Sequence, residues 1–300
     1  MNIFISSVTS YLGKAIALTL LKSSHHVTGT YRTLSNLSPE LLSNTRFTPL
    51  KVNLNLEEKI PLLDSSFDVF ILATGAYRTN VNSIQDQVFS PLGAAKFIYN
   101  QARLQSKQSL VIHLSTLSVY GSKVRATLTS KTTPTPDTLY GLSKQLTEEF
   151  LRAGLSAEHT LYQIRLPVVL GAFAHRAWLP TLLAKIKNRE TISLYNIDSL
   201  YNSCVSVSSL LRYILYLIST KQEPGDNTFP VGSSKDITVK ELFARIANQY
   251  NYSRIPDIID CTDEYSIDIQ TAESLGYPIE TTSRVLQYWL SSDLAQKDYM

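Results

Sequence analysis

The segment MNIFISSVTSYLGKAIALTLL (residues 1–21) combines an apolar strand, a turn and an amphipathic helix. A strand that enters a helix through a glycine turn is typical of a dinucleotide-binding unit, because the backbone can then approach a pyrophosphate at the helix N-terminus. The expected pattern G-x-x-G-x-x-G reads Ser7-x-x-Ser10-x-x-Gly13 here. The segment therefore predicts either a working nucleotide site with two unusual residues or a former one.

Composition narrows the class of protein. With 300 residues and 44% apolar content, the chain can bury one large core, or a main domain plus a smaller lobe. It has no apolar run of ~20 residues and no signal-peptide pattern at its N-terminus, so we expect a cytoplasmic protein that does not enter the membrane.

The charge distribution and the positions of cysteine and histidine argue against a nucleic-acid-binding protein and against a metalloprotein. The net charge of +3 is spread along the chain rather than gathered in a basic stripe, which argues against nucleic acid as a partner. Cys204 and Cys261 are far apart and lack a C-x-x-C partner, so we interpret them as structural thiols. The histidines form no ligand pattern, and we expect no metal.

Strands and helices alternate through the first two thirds of the chain, which predicts a parallel sheet covered by helices on both faces. After about Gly171 the pattern changes to helices mixed with short strands, which we interpret as a smaller lobe. The predicted strands are Asn2–Ser6, His26–Tyr31, Arg46–Val52, Val69–Thr74, Ser109–Ser115 and Tyr162–Val168, followed by Thr191–Leu194 and Asn227–Val231. The predicted helices include Pro91–Leu104, Leu142–Ala153, Trp178–Lys187, Val207–Ser219, Val239–Tyr250 and Thr282–Leu290.

Two neighbouring motifs could carry chemistry. Tyr140 and Lys144 are four residues apart, so on a helix they share a face, and a nearby ammonium would favour the phenolate of the tyrosine. About twenty-five residues earlier, an apolar strand ends in Ser115 and Thr116, where a hydroxyl could hydrogen-bond a substrate carbonyl. Each motif also has a non-catalytic explanation, since Y-x-x-x-K occurs by chance and Ser or Thr often caps a turn.

The segment after the second strand bears on the choice of cofactor. An acidic residue there selects NAD, whereas an arginine accommodates the 2′-phosphate of NADP. The sequence HVTGTYRT (residues 26–33) offers Arg32 and no acid. It favours NADP, although Arg32 could also be a solvated surface residue.

The chain resembles the extended short-chain dehydrogenase/reductase family of nucleotide-sugar epimerases, dehydratases and ketoreductases over nearly its full length. The motifs that carry the resemblance are STLSVYG (115–121), Tyr140 with Lys144, IRLPVVLGA (164–172), FPVGSSKDITVKEL (229–242) and DIQTAESLGYPIE (268–280).

The resemblance implies a Rossmann-type doubly wound parallel sheet in an NADP-binding domain (1–171) and a smaller C-terminal α/β substrate lobe (172–300), with the chain free to cross between the two. It implies catalysis by Thr116, Tyr140 and Lys144. It further implies that the cofactor meets Ser7, Ser10, Tyr11, Leu12, Gly13, Arg32, Ala73, Thr74, Tyr140, Lys144 and Pro167.

Departures from the family pattern reduce the number of reactions that the chain could catalyse. The dehydratases carry Asp-Glu after the catalytic hydroxyl, but Leu117 and Ser118 stand there, and Arg32 disfavours the tightly held NAD of the epimerases. We therefore expect NADPH-dependent reduction of a keto group, such as the 4-keto group of a nucleoside-diphosphate 6-deoxy sugar. Asn202 replaces the arginine that would meet the diphosphate, which weakens the assignment of the substrate.

Two alternatives stay open. One is a nucleotide-sugar 4-epimerase with tightly bound NAD(P), and the other is a non-catalytic NADP-binding relic. The partner expected in each enzymatic case is a small-molecule nucleotide sugar, and the family resemblance adds a homodimer.

Overall fold

The computed structural model describes residues 1–54, 62–75, 84–105, 107–122, 126–155, 157–172, 174, 177–259 and 265–297. Cys261 lies outside them. The strands are β1 Asn2–Ser6, β2 His26–Tyr31, β3 Phe47–Lys51, β4 Val69–Leu72, β5 Leu110–Thr116, β6 Thr127–Leu128, β7 Thr160–Leu166, β8 Val168–Leu170, β9 Ser193–Tyr195, β10 Cys204–Ser206, β11 Gly225–Pro230, β12 Asp257–Ile259 and β13 Ser266–Ile267. The α-helices are α1 Tyr11–Lys22, α2 Pro39–Leu42, α3 Ser90–Arg103, α4 Leu139–Leu155, α5 Trp178–Lys187, α6 Val207–Ser219, α7 Val239–Gln249, α8 Gln270–Ser274 and α9 Thr282–Lys297.

A seven-stranded, mostly parallel sheet dominates the fold. Its strand order is β11-β7-β5-β4-β1-β2-β3, and β1 pairs in parallel with β2 on one side and β4 on the other. The direction of winding therefore reverses beside β1, at the point where doubly wound folds bind ligands outside the carboxyl ends of the strands. The predicted Rossmann-type α/β class is confirmed.

The sheet is stable because its central strands are apolar on both faces. Every residue of β4 and β5 is buried, as expected for strands with helices above and below. On one face an aromatic group of Phe4, Phe67, Phe70 and Phe97 packs in edge-on and tilted contacts with ring centroids 5.0–6.0 Å apart. This packing holds β1 and β4 in place, so the loops that follow them start from fixed positions.

The contacts group the chain into two compact units. The first comprises residues 1–122, 133–165 and 214–229, and the second comprises 123–132, 166–213 and 230–300. The second unit contains three two-stranded parallel pairs, β8 with β10, β9 with β12 and β6 with β13. Its core includes Leu182, Leu242, Leu286 and Trp289 from α5, α7 and α9. The domain boundary at residue 171 stays a prediction.

Most predicted elements match the observed ones closely, and α5 and α6 match their predicted bounds. The predicted strand Tyr162–Val168 is wrong in one respect, because the structure divides it into β7 and β8 on either side of Pro167. Proline has no N–H for a strand ladder, so the sheet pairing ends there. No helix within the described ranges is both long and apolar enough to cross a bilayer.

Candidate active site

The turn after β1 has the backbone shape of a glycine turn although serine occupies it. Ser7 has φ of 62°, in the left-handed region that glycine adopts most easily. Its carbonyl accepts hydrogen bonds from the Ser10 N–H at 3.1 Å and from the Ser10 hydroxyl at 2.8 Å. For a residue with a Cβ this conformation costs about 1–2 kcal/mol. The serine therefore keeps the conformation at a cost in stability.

Ser10 and Gly13 complete this turn. The Ser10 hydroxyl accepts a hydrogen bond from the Gly13 N–H at 3.1 Å, so Ser10 caps the N-terminus of α1. A Cβ added at Gly13 would lie 2.2 Å from the Ser7 carbonyl oxygen, which explains why glycine is kept at this position. The hydroxyl of Ser10 is thus turned back into the loop, and the first helical N–H groups, those of Tyr11 and Leu12, have no acceptor within the helix.

The end of β2 is tied to the same turn. The Ser7 N–H donates to the Thr30 hydroxyl at 2.7 Å, and the Val8 N–H donates to the Thr30 carbonyl at 3.0 Å. Arg32 is exposed and follows two residues later, directly after β2. The arginine that favours NADP in the sequence therefore lies just beyond a strand end that is bonded to the loop.

The end of β4 is held against the end of β1 by a residue that the sequence analysis missed. Ser6 is fully buried, and its hydroxyl accepts hydrogen bonds from the Ala73 N–H at 3.0 Å and the Thr74 hydroxyl at 2.7 Å. These bonds bring Ala73 and Thr74 beside the turn. A serine at the last position of an apolar strand was the available signal.

Tyr140 and Lys144 lie on the first two turns of α4, whose N-terminus is capped by Thr138 through a 3.0 Å bond from the Gly141 N–H. Lys144 is only 2% exposed, and its ammonium donates to the carbonyls of Thr74 at 2.8 Å and Leu114 at 2.7 Å. A Cβ added at Gly75 would lie 3.3 Å from Lys144 Nζ and 3.6 Å from Tyr140 Cε2. The structure thus brings Tyr140, Lys144 and the loop after β4 together.

Burial changes the protonation of Lys144. It lowers the pKa of this ammonium from 10.5 to about 7, and the negative charge of Glu148 acts in the opposite direction. An amine with this pKa can be charged or neutral near neutral pH. The ammonium that the sequence analysis placed beside Tyr140 is therefore close to the midpoint between its charged and neutral forms at neutral pH.

Thr116 ends β5 and begins a 3₁₀ turn, Leu117–Tyr120. Its hydroxyl accepts from the Ser118 N–H at 3.2 Å, which is the capping role that the sequence analysis gave as the non-catalytic explanation. A Cβ added at Gly141 would lie 2.2 Å from the Ser118 carbonyl oxygen, so the first turn of α4 packs directly against this 3₁₀ turn. The elements that carry Thr116 and Tyr140 are therefore neighbours, and the hydroxyl proton of Thr116 points to Ser118 Oγ at 3.3 Å.

The sequence analysis missed a buried charged group next to these residues. The carboxylate of Glu148 accepts from Arg165 Nη2 at 2.7 Å and from the Ser115 hydroxyl at 2.5 Å. Arg165 also donates to the Tyr120 hydroxyl at 2.9 Å and lies over that ring, 4.9 Å from its centroid. All four side chains are at most 3% exposed. The signal in the sequence was a glutamate four residues after the lysine, on the same helical face.

Two residues named in the sequence analysis belong to the second unit. Pro167 separates β7 from β8. Asn202 is buried, and its side-chain amide donates to the Ile267 carbonyl at 2.8 Å and accepts from the Ile267 N–H at 3.1 Å. The residue that stands in place of a diphosphate-binding arginine therefore holds β13 to the segment before β10.

Comparisons with known proteins agree with this arrangement. A model of the NAD dependent epimerase/dehydratase family matches residues 3–232. The fold is similar to that of UDP-glucuronic acid 4-epimerase from Bacillus cereus in complex with NAD, with a TM-score of 0.78, 16% identity and 99% of each chain covered.

Two further solved structures are similar. The enzyme WbmG from Bordetella bronchiseptica in complex with NAD has a TM-score of 0.75 and 17% identity, over 97% of this chain and 93% of that one. UDP-glucose 4-epimerase from Thermotoga maritima with UDP-glucose has a TM-score of 0.72 and 15% identity over the whole of both chains. At these identities the likeness establishes the fold alone. A search of curated proteins finds no match to the sequence.

Proposed function

The chain belongs to the NAD dependent epimerase/dehydratase family of enzymes, and from that premise we propose that it reduces a keto group on a nucleotide sugar with NADPH. The observation that carries the proposal is the convergence of Tyr140, Lys144 and Gly75. A tyrosine and a buried amine meet there beside the loop that follows β4, at the reversal point of the sheet.

The residues present fit a dinucleotide. Ser7 adopts the left-handed conformation of a glycine turn, Gly13 is kept where a Cβ would meet a carbonyl, and the Ser10 hydroxyl is bonded within the loop rather than extended from it. The N–H groups at the start of α1, which have no acceptor within the helix, suit a pyrophosphate. Neither serine therefore prevents this turn from holding a cofactor.

When bound, the nicotinamide would supply a hydride to the carbonyl carbon of the substrate. Tyr140 would hold the proton that the carbonyl oxygen receives, and the hydroxyl of Thr116 would orient that oxygen. Lys144 would favour the phenolate form of Tyr140 after proton transfer. Its bonds to the Thr74 and Leu114 carbonyls hold the ammonium in one place between β4 and β5.

NADP rather than NAD is part of the proposal. Arg32 follows β2 directly, and the neighbouring residues Tyr31 and Thr33 offer no carboxylate to the ribose hydroxyls. A nucleoside-diphosphate 6-deoxy-4-keto sugar is the proposed substrate, although Asn202 is committed to β13 and so cannot replace the missing arginine at the diphosphate. The homodimer that the family resemblance implies stays a prediction.

A 4-epimerase is the second candidate function, and the similar structures favour it, since two of those described above are UDP-sugar 4-epimerases. The two reactions differ in whether they consume cofactor. A reductase consumes one NADPH for each alcohol formed, whereas an epimerase returns its hydride to the sugar and consumes none.

The deciding experiment uses NADPH deuterated at C4 of the nicotinamide, a panel of UDP-, dTDP- and GDP-linked 4-keto-6-deoxy sugars, and in parallel UDP-glucose and UDP-glucuronic acid. For the reductase we expect oxidation of NADPH at 340 nm and one deuterium in the sugar, read by mass spectrometry. Interconversion of UDP-sugar epimers without NADPH consumption would support the epimerase instead.

A further inference from the structure

Glu148 follows Lys144 by four residues on α4, so the two side chains share one face of the helix. Both are buried, at 0% and 2% exposure. The carboxylate is fixed from outside the helix as well, by the guanidinium of Arg165 on β7 and the hydroxyl of Ser115 on β5. Three elements therefore fix a negative charge one helical turn from the lysine.

The stability of the fold alone does not explain why Glu148 and Arg165 form an ion pair in the protein interior. Removing a carboxylate and a guanidinium from water costs more than packing two apolar side chains of the same volume, so such a pair adds little to stability. The Glu148–Arg165 pair is nevertheless buried, and the ring and hydroxyl of Tyr120 also contact Arg165. The negative charge of Glu148 therefore acts on the buried side chains around the carboxylate.

The groups that face Lys144 come from three elements. His113 on β5 is fully buried, and burial together with the charge of Lys144 holds the pKa of its imidazole well below its usual range, so it is neutral. Arg165 on β7 is cationic, and Tyr140 lies on α4 itself. Among the described residues, Glu148 is the group whose charge supports the ammonium against burial.

Building on the proposed function, we propose that Glu148 is a positioning residue that increases the charged fraction of the buried Lys144, with Arg165 and Ser115 fixing its carboxylate. Two of the three N–H donors of Lys144 bond to Thr74 and Leu114. Only the charged form has a third donor, which is available to Tyr140 or to a ribose hydroxyl. Glu148 thus acts on the reaction through Lys144 and touches no substrate.

The test is a pH titration of the cofactor-free protein labelled with [ε-¹³C]lysine and observed by NMR. Lys144 is assigned by the resonance that Lys144→Met removes, and we expect this resonance to titrate near pH 7. In Glu148→Gln we expect its midpoint to fall by about one pH unit, so that the charged fraction at pH 7 drops about fivefold.

Two further variants separate this effect from folding. Glu148→Gln alone leaves the buried guanidinium of Arg165 without its carboxylate and risks misfolding, so Glu148→Gln/Arg165→Gln removes both charges. Because the double variant also removes the Arg165 cation, whose positive charge opposes the ammonium, we expect a fall in the Lys144 midpoint that is smaller than in Glu148→Gln. Glu149→Gln is the matched control, because the neighbouring carboxylate is 54% exposed and pairs with Arg152; it should leave the midpoint unchanged.

A Lys144 midpoint that falls neither in folded Glu148→Gln nor in the folded double variant would overturn the proposal and leave the pair a purely structural one. Since this readout needs neither cofactor nor substrate, it stands apart from the reductase assay. A protein without reductase activity can still show the shift, and an active reductase can fail to show it.

Discussion

Replacing Lys144 by methionine should change how the stability of the protein depends on pH. In the folded protein the pKa of Lys144 is about 7, against 10.5 for an ordinary lysine. Below pH 7 both the folded and unfolded chains carry the proton, and the folded chain bears the cost of a buried charge. As the pH rises above 7 the folded chain loses this proton while the unfolded chain keeps it, so wild-type stability rises with pH.

The size of the effect follows from the two pKa values. At about 1.4 kcal/mol per pKa unit, the free energy of unfolding of the wild type, relative to Lys144→Met, should increase by about 2.5 kcal/mol between pH 6 and pH 9. The comparison uses the difference in free energy of unfolding between wild type and Lys144→Met at each pH. The loss of the two hydrogen bonds to Thr74 and Leu114 contributes equally to this difference at both pH values, so it cancels.

Urea denaturation of the cofactor-free proteins at the two pH values measures this difference. Lys96→Met is the control, because Lys96 is an exposed residue of α3 and its replacement should give a difference that does not vary with pH. A pH-independent difference for Lys144→Met as well would show that the ammonium is solvated and would refute the argument from burial.

Three further changes test other parts of the site. Ser7→Gly should raise the free energy of unfolding by about 1 kcal/mol by relieving the left-handed φ, and should keep or tighten NADPH binding; Ser24→Gly, at a φ of 64° beyond the end of α1, should give a similar stability gain in urea denaturation with no effect on binding. Arg32→Asp should shift the ratio of NADPH to NADH affinities toward NADH, and an unchanged ratio would make Arg32 a surface residue only. Tyr140→Phe should leave NADPH affinity within about twofold and reduce turnover by 100-fold or more, because only the transferable proton is lost; turnover equal to that of the wild type would exclude Tyr140 as the proton donor.

The local features of the site could be predicted from the sequence. The glycine pattern placed a tight turn at residue 7, and Ser7 adopts there the left-handed conformation that glycine adopts most easily. The spacing of Tyr140 and Lys144 placed both on one face of a helix. These predictions succeed because turn conformation and helical periodicity depend on residues close together in the chain.

The tertiary contacts could not be predicted in this way. The carbonyl partners of Lys144 come from residues 70 and 30 positions earlier in the chain, and sequence spacing contains no information on them. Asn202 could be recognised as a departure from the family pattern, but its bonds to Ile267 appear only in the structure.

The pairing of Glu148 with Arg165 lies between these cases. A glutamate four residues after Lys144 is visible in the sequence, yet its ion pair depends on β7 lying beside β5 in the sheet. The sequence analysis gave the segment 164–172 as a family motif and named Pro167 from it as a cofactor contact. The side chain of Arg165 is instead buried and bonded to Glu148 and Tyr120.

Equilibrium titration of the purified protein with NADPH, followed by nicotinamide fluorescence, measures most directly whether the serine-containing turn still serves a working site. The account predicts saturable binding of one NADPH per chain, tighter than that of NADH. Absence of saturable binding for both dinucleotides would contradict it and show that the serine-containing turn no longer holds a cofactor.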